Sequence, residues 1–358
     1  MKLAIVGAGF AGLLTAKRLS ERGFKVDLFE EHDEVGVPEH CTGIVSRRAV
    51  ELIGSEAKEN VEGYVSEYFL SNSDFHGIWL KGPKDFTVKL RRRDLERDLL
   101  ESSLANGVSF IKKTVFRVDP KGKVDERVYE RVFVAEGWRA ELSKGLGIAH
   151  RSRTVYGLNL EVKGRTAYPG TSFIIFDRTL APGFFAWIVM LEGKAVVGTA
   201  SEPKKANVME LARKVLEIAR ERGLVEGEVV KTYGGVILTG PPSLAPCNSK
   251  VCAIGDAAGL NKPLTGGGLY PTSVVARELP LRIENPIRAY FPLVPRLYAE
   301  TPIARFLHKA PQRFYANFFS KVDGEEVSVS EYDNHLKTLL EMKSKSLVFL
   351  LKAVSALI

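Results

Sequence analysis

The sequence has few cysteines and no long apolar run. Three cysteines stand among its 358 residues, Cys41, Cys247 and Cys252, and they are too few for a disulfide scaffold or for a common iron–sulfur site. No apolar stretch reaches the roughly 20 residues of a membrane-spanning helix. The first predicted strand begins at Lys2, which leaves no room for a targeting peptide. We therefore expect a cytoplasmic chain with reduced cysteines, and peripheral contact with the inner face of the membrane is left open.

Acidic residues are outnumbered by basic ones. Lys and Arg total 51 against 43 Asp and Glu, so the formal net charge is +8. An excess of positive charge attracts nucleic acid, anionic lipid headgroups or phosphorylated substrates, but a Lys- and Glu-rich surface is also common in heat-stable proteins. Charge alone does not decide between these. We predict no nucleic-acid partner and no metal site, because no other feature of the sequence indicates either.

A glycine-rich turn follows the first predicted strand, residues 3–6, and leads into a helical stretch over 13–22. In such a turn Gly7 allows the tight bend, Gly9 lets the backbone approach a pyrophosphate, and Gly12 lets the helix pack close to the strand. A second strand, 26–30, ends in an acid placed to accept hydrogen bonds from ribose hydroxyls. The pattern predicts a dinucleotide site made by Gly7, Ala8, Gly9, Phe10, Ala11, Gly12, Glu30 and Glu31.

A second glycine-rich segment lies far downstream. An apolar strand at 251–254 runs into Gly255 and Asp256, and Gly266, Gly267 and Gly268 follow before another predicted helix. Asp256 is suited to hydrogen-bond ribityl or ribose hydroxyls. The glycines let backbone lie against a flat ring at a helix N-terminus, which stabilises negative charge on a reduced flavin. An ordinary turn would explain Gly255 but not the whole run, so the sequence favours FAD over NAD.

These motifs resemble the flavoprotein superfamily that includes aromatic hydroxylases and geranylgeranyl reductases. In that superfamily a distant Gly-Asp element completes the FAD site begun by the N-terminal fingerprint. The helix start at 92–99 resembles the family's Arg-x-x-Phe-Asp-x-x-Leu element, which implies that Arg92 contacts the cofactor. Ala135-Glu136-Gly137 with Ser143 resembles its Ala-Asp-Gly…Ser segment, although Glu136 stands where Asp is usual. The resemblance thus adds Arg92 and Gly137 to the cofactor site.

Three features resemble the geranylgeranyl reductase branch most. The loop 35–43 contains Cys41 where those reductases have Gly-x-Pro…Cys, and the segment 255–268 matches theirs closely. The strand 182–190 resembles their Pro-x-x-Tyr-x-Trp-x-Phe-Pro element, with Phe185 in place of Tyr and Trp187 retained. The resemblance spans roughly residues 1–280. It implies hydride transfer from reduced FAD to isolated double bonds of a polyprenyl (geranylgeranyl) chain, as in the biosynthesis of isoprenoid membrane phospholipids.

Side-chain roles follow from that chemistry. An isolated alkene needs a proton or a strong positive field beside the carbon that accepts the hydride. Cys41 is our candidate catalytic residue and is also expected to contact the cofactor. The alternative is that Cys41 is a small hydrophobic residue buried in the core. Phe185 and Trp187 are predicted to line the substrate channel, and Cys252 to pack in the core. His40 is expected to face solvent or phosphate. The external electron donor, NADPH, ferredoxin or another, is undetermined.

Two other functions remain open. An FAD-dependent monooxygenase of the aromatic hydroxylase type would share the cofactor motifs. A flavin electron-transfer protein related to quinone reductases is the other alternative, although no cysteine follows Cys252 to build the C-terminal iron–sulfur cluster of the larger type.

We predict an α/β fold, α+β overall, with a Rossmann-like FAD-binding domain, a mostly antiparallel substrate sheet and a helical C-terminal region. The predicted FAD domain is discontinuous, over residues 1–65, 90–150 and 245–285. The substrate domain takes 66–89 and 151–244, and the helical region takes 286–358. The apolar end, Leu347–Ile358, is too short to span a bilayer. Docking on the core or in the channel is favoured over contact with lipid.

Overall fold

The computed structural model describes residues 1–341, with side chains up to residue 338, so the tail Leu347–Ile358 lies outside the described residues. The strands are β1 (Lys2–Val6), β2 (Lys25–Glu30), β3 (Ile44–Ser46), β4 (Val61–Val65), β5 (Glu67–Ser71), β6 (Gly77–Lys81), β7 (Thr87–Leu90), β8 (Ser109–Lys112), β9 (Lys123–Val124), β10 (Arg127–Val128), β11 (Arg131–Val134), β12 (Arg153–Lys163), β13 (Thr171–Ile175), β14 (Ala186–Leu191), β15 (Lys194–Ser201), β16 (Glu228–Thr239), β17 (Val251–Ala253) and β18 (Glu325–Ser328). The α-helices are α1 (Phe10–Ser20), α2 (Arg47–Ile53), α3 (Ser55–Glu59), α4 (Arg92–Ala105), α5 (Glu141–Gly145), α6 (Val208–Glu221), α7 (Leu269–Glu278), α8 (Val294–Lys309), α9 (Gln312–Lys321) and α10 (His335–Glu341). Short 3₁₀ helices span Gly255–Ala258, Leu279–Arg282 and Pro286–Ala289.

A parallel sheet carries the glycine-rich turns. Its five strands run in the order β17-β11-β1-β2-β8, and every neighbouring pair is parallel. β1 is apolar and buried along most of its length, as strands of a parallel sheet covered on both faces are. The turns after β1, β11 and β17 meet at the carboxyl end of the sheet, where open α/β sheets bind ligands.

Close backbone contacts hold these turns together. A Cβ at Gly7, which has φ +101°, would collide with the Ala135 carbonyl after β11, and one at Gly12 would collide with the Gly7 carbonyl. Gly255, with φ +63°, leaves room for the Ala11 side chain, whose Cβ would be 2.5 Å from a Cβ there. Glycine is therefore required at these positions, because a Cβ would collide with a neighbouring group. The contacts of Gly7 and Gly255 also join one motif of the predicted dinucleotide site to another.

A larger mixed sheet lies beside this domain, with strand order β16-β12-β15-β14-β13-β5-β6-β18. Most neighbouring strands are antiparallel, and the pairs β13–β5 and β6–β18 are parallel. β14 is buried along its whole length. Ala186, Ile188 and Met190 pack toward α6, and Trp187 and Val189 belong to the opposite face. The predicted fold class, a Rossmann-like α/β domain with a mostly antiparallel sheet and C-terminal helices, is confirmed. The domain boundaries stay a prediction.

Several local expectations need correction. The first helix begins at Phe10 rather than at residue 13, with Gly9 as its N-cap. The C-terminal region predicted to be helical contains β18, which pairs with β6. The strand predicted within 182–190 begins at Ala186, so Phe184 and Phe185 precede it. β7 joins β3 and β4 in a small antiparallel sheet rather than the large one.

The expectation that the cysteines are reduced is wrong for Cys247 and Cys252. Cys252 forms a disulfide with Cys247, five residues earlier in the chain. The backbone N–H of Asn248 donates to the Val251 carbonyl at 2.9 Å, and this tight turn brings the segment before β17 back against the strand. The side chain of Cys252 is buried in the core, as expected.

Candidate active site

One cavity, of about 470 Å³, joins the glycine-rich turns to the large sheet. Of the predicted cofactor residues, those that line it are Gly9, Phe10, Ala11, Cys41, Arg92, Gly137, Gly255, Asp256, Gly266, Gly267 and Gly268. The predicted substrate residues Phe185 and Trp187 line the same cavity. Gly7, Ala8, Gly12 and Glu30 lie behind this lining in the turn and at the end of β2, and Glu31 is exposed outside it. Segments far apart in the chain are thus brought to one space.

The glycine-rich turns that line the cavity, 7–12 and 255–268, form a cradle with room and free polar atoms for a dinucleotide. A Cβ at Gly9 or at Gly137 would meet no atom within 4 Å, so the backbone there faces open space. Among the described residues, Arg92 Nε and Thr265 Oγ1 line the cavity and are buried without a hydrogen-bond partner. Buried polar atoms are rarely left unsatisfied. The residues present therefore fit FAD, with pyrophosphate at Gly9 and the N-terminus of α1.

Glu30 holds the turn that would surround the ribose. Its Oε2 accepts a hydrogen bond from the Ala8 N–H at 2.6 Å, and its Oε1 accepts from the Glu31 and His32 N–H groups at 2.9 Å each. Burial acts to raise the pKa of Glu30, but the hydrogen bonds from His32 and Ala8 outweigh it and lower the pKa below its ordinary value. Glu30 is therefore a carboxylate at neutral pH, and Oε2 keeps a lone pair for a ribose hydroxyl.

Arg92, Glu96 and Cys41 form a buried group on one wall. Arg92 forms an ion pair with Glu96 one helical turn along α4, and its guanidinium also contacts the Cys41 sulfur. Burial acts to lower the pKa of Arg92, but the neighbouring Glu96 and Cys41 raise it, so the guanidinium stays charged. The Gly43 N–H is 3.4 Å from Cys41 Sγ. The loop that contains Cys41 is thereby fixed against α4, with the free thiol at the cavity.

The opposite wall is apolar and aromatic. Phe184 and Phe185 stack with ring centroids 4.1 Å apart, and Phe185 and Trp187 meet edge to face at 6.1 Å. The Trp187 indole N–H donates to Asn159 Oδ1 at 3.0 Å, so its one polar group is satisfied within the sheet. Phe314 and Phe318 of α9 line the same side. This part of the cavity offers a substrate hydrocarbon contacts and few polar partners.

The structure also places Glu136 and His40, two residues discussed in the sequence analysis. Glu136 accepts hydrogen bonds from the backbone N–H groups of Leu142 and Ser143 and from the Ser143 hydroxyl, so it caps α5. His40 is exposed but lines the cavity, and its Nδ1 is 3.1 Å from the Pro38 carbonyl. The role of each predicted site residue stays a prediction, because proximity alone does not test it.

Sequence reasoning missed charged residues that line the cavity. Lys262 and Asp333 form a buried ion pair, with Nζ 3.1 Å from Oδ1, and both line the cavity. They are 71 residues apart in the chain. Glu96 was also missed, although an acid four residues after Arg92 on a helix is a recognisable spacing.

His308 supports the cradle loop from outside. It is buried on α8 beside the Phe184 ring, and its Nε2 lies 2.8 Å from the Leu264 carbonyl. Burial lowers the pKa of His308 from 6.5 to about 4, so the folded chain holds the ring neutral.

We therefore expect an acid-dependent stability term from His308. This stabilisation is fully present above pH 6.5, where His308 is neutral in both the folded and the unfolded chain. It is lost as the pH falls toward 4, because His308 then binds a proton in the unfolded chain but not in the folded chain. The free energy of unfolding should drop by about 3 kcal/mol across that window. Urea unfolding at several pH values measures this. His308→Gln, which keeps an N–H donor but does not titrate, should flatten the slope; an unchanged slope would contradict the assignment.

Comparison with known proteins agrees with this geometry. Residues 5–41 match the family model of the NAD(P)-binding Rossmann-like domain. Digeranylgeranylglycerophospholipid reductase 1 of Methanopyrus kandleri is 28% identical over 305 residues, which cover 77% of this chain and 78% of the relative. The crystal structure of a geranylgeranyl bacteriochlorophyll reductase-like protein from Thermoplasma acidophilum has a TM-score of 0.81 at 18% identity and covers 98% of each chain.

The chain is similar to proteins named digeranylgeranylglycerophospholipid reductase, at 28% and 26% identity to the two of Methanopyrus kandleri. The resemblance predicted from the Cys41 loop and the Trp187 strand is thereby confirmed over most of the chain. HpxO of Klebsiella pneumoniae, solved in complex with FAD, shares the fold with a TM-score of 0.66 at 14% identity, over 100% of this chain and 98% of that one. The family model and the names of the relatives agree with the predicted cofactor, FAD, and with the predicted class, an FAD-dependent oxidoreductase.

Proposed function

We propose that the protein saturates isolated carbon–carbon double bonds of polyprenyl chains, in the biosynthesis of isoprenoid membrane lipids. One observation carries the proposal: a single cavity joins the glycine cradle to an aromatic and aliphatic wall. A polyprenyl chain has no polar group along its length, so its binding energy must come from apolar contacts of this kind. The relative from Methanopyrus kandleri, by its name, reduces a lipid with geranylgeranyl chains.

The side chains have distinct tasks in this proposal. Reduced FAD would supply the hydride. Phe185 and Trp187 hold the chain against the large sheet and exclude water from the reacting carbon. The Cys41 thiol donates the proton to the neighbouring carbon, and the charged Arg92, contacting the same sulfur, holds the thiol in place and stabilises the thiolate that remains.

Lipid mass spectrometry after coexpression with a polyprenyl lipid pathway tests the proposal. We expect a ladder of products, each heavier than the last by the two hydrogen atoms of one saturated bond. The matched control is the Gly9→Val variant, which is expected to lose FAD and should leave the lipids unsaturated. Unchanged lipids in cells that contain FAD-loaded protein would overturn the proposal.

An anaerobic assay separates the proposal from a monooxygenase. A reductase saturates the chain without oxygen, whereas a monooxygenase needs oxygen and yields a hydroxylated product. An electron-transfer protein would leave the lipid unchanged in both atmospheres. The physiological reductant and contact with a membrane stay predictions; in residues 1–341, no helix is both long and apolar enough to cross a bilayer.

A further inference from the structure

Lys262 is a buried cation in the loop that forms the proposed flavin cradle. It lies between the 3₁₀ helix Gly255–Ala258 and α7, and it is 3% exposed. Its backbone N–H donates to the Gly267 carbonyl at 3.1 Å, and its carbonyl accepts from the Gly266 N–H at 2.8 Å. Residues 262–267 thus form a closed turn whose geometry does not depend on the lysine side chain.

The side chain folds back over this turn. A Cβ at Gly267 would lie 2.9 Å from Lys262 Cε and 3.6 Å from its Nζ. The glycine at 267 therefore makes room for the lysine, a reason beyond the close approach of a flat ring. The ammonium group is packed on the same backbone that we expect to carry the pyrimidine edge of the flavin.

The C-terminal region supplies the partners of this ammonium. Nζ is 3.1 Å from Asp333 Oδ1 and 3.8 Å from the centroid of the Tyr332 ring. Asp333 Oδ2 accepts a hydrogen bond from the Ser46 hydroxyl. An isolated buried charge is very costly, so the carboxylate and the aromatic face explain how the ammonium is tolerated. They also fix its position, with the end of the lysine side chain beside Gly267.

A fixed positive charge at this place has a chemical consequence. A flavin gains negative charge on its pyrimidine portion when it is reduced, and a protein cation there stabilises the reduced form. The N-terminus of α7, which begins at Leu269 directly after the cradle, acts in the same direction. A buried ammonium is screened far less by water than a surface lysine would be.

We propose that Lys262 raises the reduction potential of the bound flavin. Asp333 and Tyr332 position the Lys262 ammonium, and the negative charge of Asp333 partly offsets its positive charge. The inference rests on the proposed function only in that FAD occupies this cradle. It does not depend on what the substrate is.

Two variants should shift the potential in opposite directions. Lys262→Met keeps the length of the stem and removes the charge, and we expect the ratio of reduced to oxidised flavin at a given potential to fall about tenfold, which is about 30 mV for a two-electron couple. Asp333→Asn removes the offsetting charge and should raise the potential. Dye-equilibration titration of the FAD-loaded proteins measures both. Sulfite, whose addition leaves negative charge on the flavin ring, should bind about tenfold more weakly to Lys262→Met.

Controls distinguish this role from a purely structural one, in which Lys262 and Asp333 act as a tether that holds the C-terminal region in place. Lys262→Arg keeps the charge and should restore the potential and the sulfite affinity. Lys89→Met removes an equally buried lysine, paired with Glu62 at 3.1 Å and outside the cavity lining, and should leave both readouts unchanged. A tether predicts lower stability in Lys262→Met and Asp333→Asn with no opposite shifts in potential, and that result would overturn the inference.

The outcomes also separate the inference from the proposed function. FAD-loaded protein that shows the opposite shifts but reduces no polyprenyl lipid would leave the inference standing and overturn the function. If the protein reduces polyprenyl lipid but the variants leave the flavin potential unchanged, the proposed function would stand and the inference would be overturned. If the wild-type protein bound no FAD, the inference would fail together with the cofactor site.

Discussion

The Gly9→Val variant should fold as the wild type does and bind no FAD. A Cβ at Gly9 would meet no atom within 4 Å, and the backbone there has φ −73°, which valine adopts without strain. The added methyl groups would instead occupy the cavity at the N-terminus of α1, where we expect the pyrophosphate. We expect the affinity for FAD to fall at least 100-fold, or about 2.7 kcal/mol, with a change in unfolding free energy within about 0.5 kcal/mol.

Two other glycines provide the controls. At Gly145, outside the cavity lining, an added Cβ would also meet no atom within 4 Å, so Gly145→Val should keep FAD. Gly12→Val should not fold normally, because its Cβ would collide with the Gly7 carbonyl between α1 and β1; we expect a loss of roughly 3 kcal/mol or more in unfolding free energy. Flavin absorbance after gel filtration and thermal unfolding measure both effects. FAD retained by Gly9→Val would refute the placement of the pyrophosphate.

The roles of these glycines could be predicted from the sequence. Local motifs carry their own geometry: a strand, a glycine turn and a helix start place Gly7, Gly9 and Gly12 in fixed roles. The structure adds that Gly255 packs on Ala11, so the second motif closes on the first. The parallel sheet could be predicted for the same reason, because its strands are short apolar runs that end in such turns.

Contacts between distant side chains could not be predicted in this way. Lys262 and Asp333 meet only because β18 joins the edge of the large sheet at β6 and carries the following segment to the cradle. β18 has one buried apolar residue, Val327, and its other three residues are polar, so no alternating pattern marks it as a strand. A charged pair that depends on such an edge strand leaves no local signal.

The Cys41→Ser variant should keep FAD and lose most of its turnover. The thiol lies at the cavity, fixed by Arg92 and by the Gly43 N–H at 3.4 Å, and serine is close enough in size to keep this loop in place. A hydroxyl is a much weaker acid than a thiol, so a proton-donating role predicts a loss of roughly 100-fold in kcat. Anaerobic stopped-flow measurement of flavin reoxidation by a polyprenyl substrate should show the loss in the chemical step.

Cys41→Ala separates proton donation from packing at the same position. If the thiol donates the proton, alanine and serine slow reoxidation to a similar extent, and reduction of the flavin by dithionite is unchanged in both. If Cys41 only fills space, serine and alanine should differ in stability while turnover stays near that of the wild type. The second result would move the proton donor elsewhere in the cavity and leave Arg92 and Glu96 as a structural pair. The first would show why a charged arginine is buried against this sulfur: it stabilises the thiolate formed when the proton leaves.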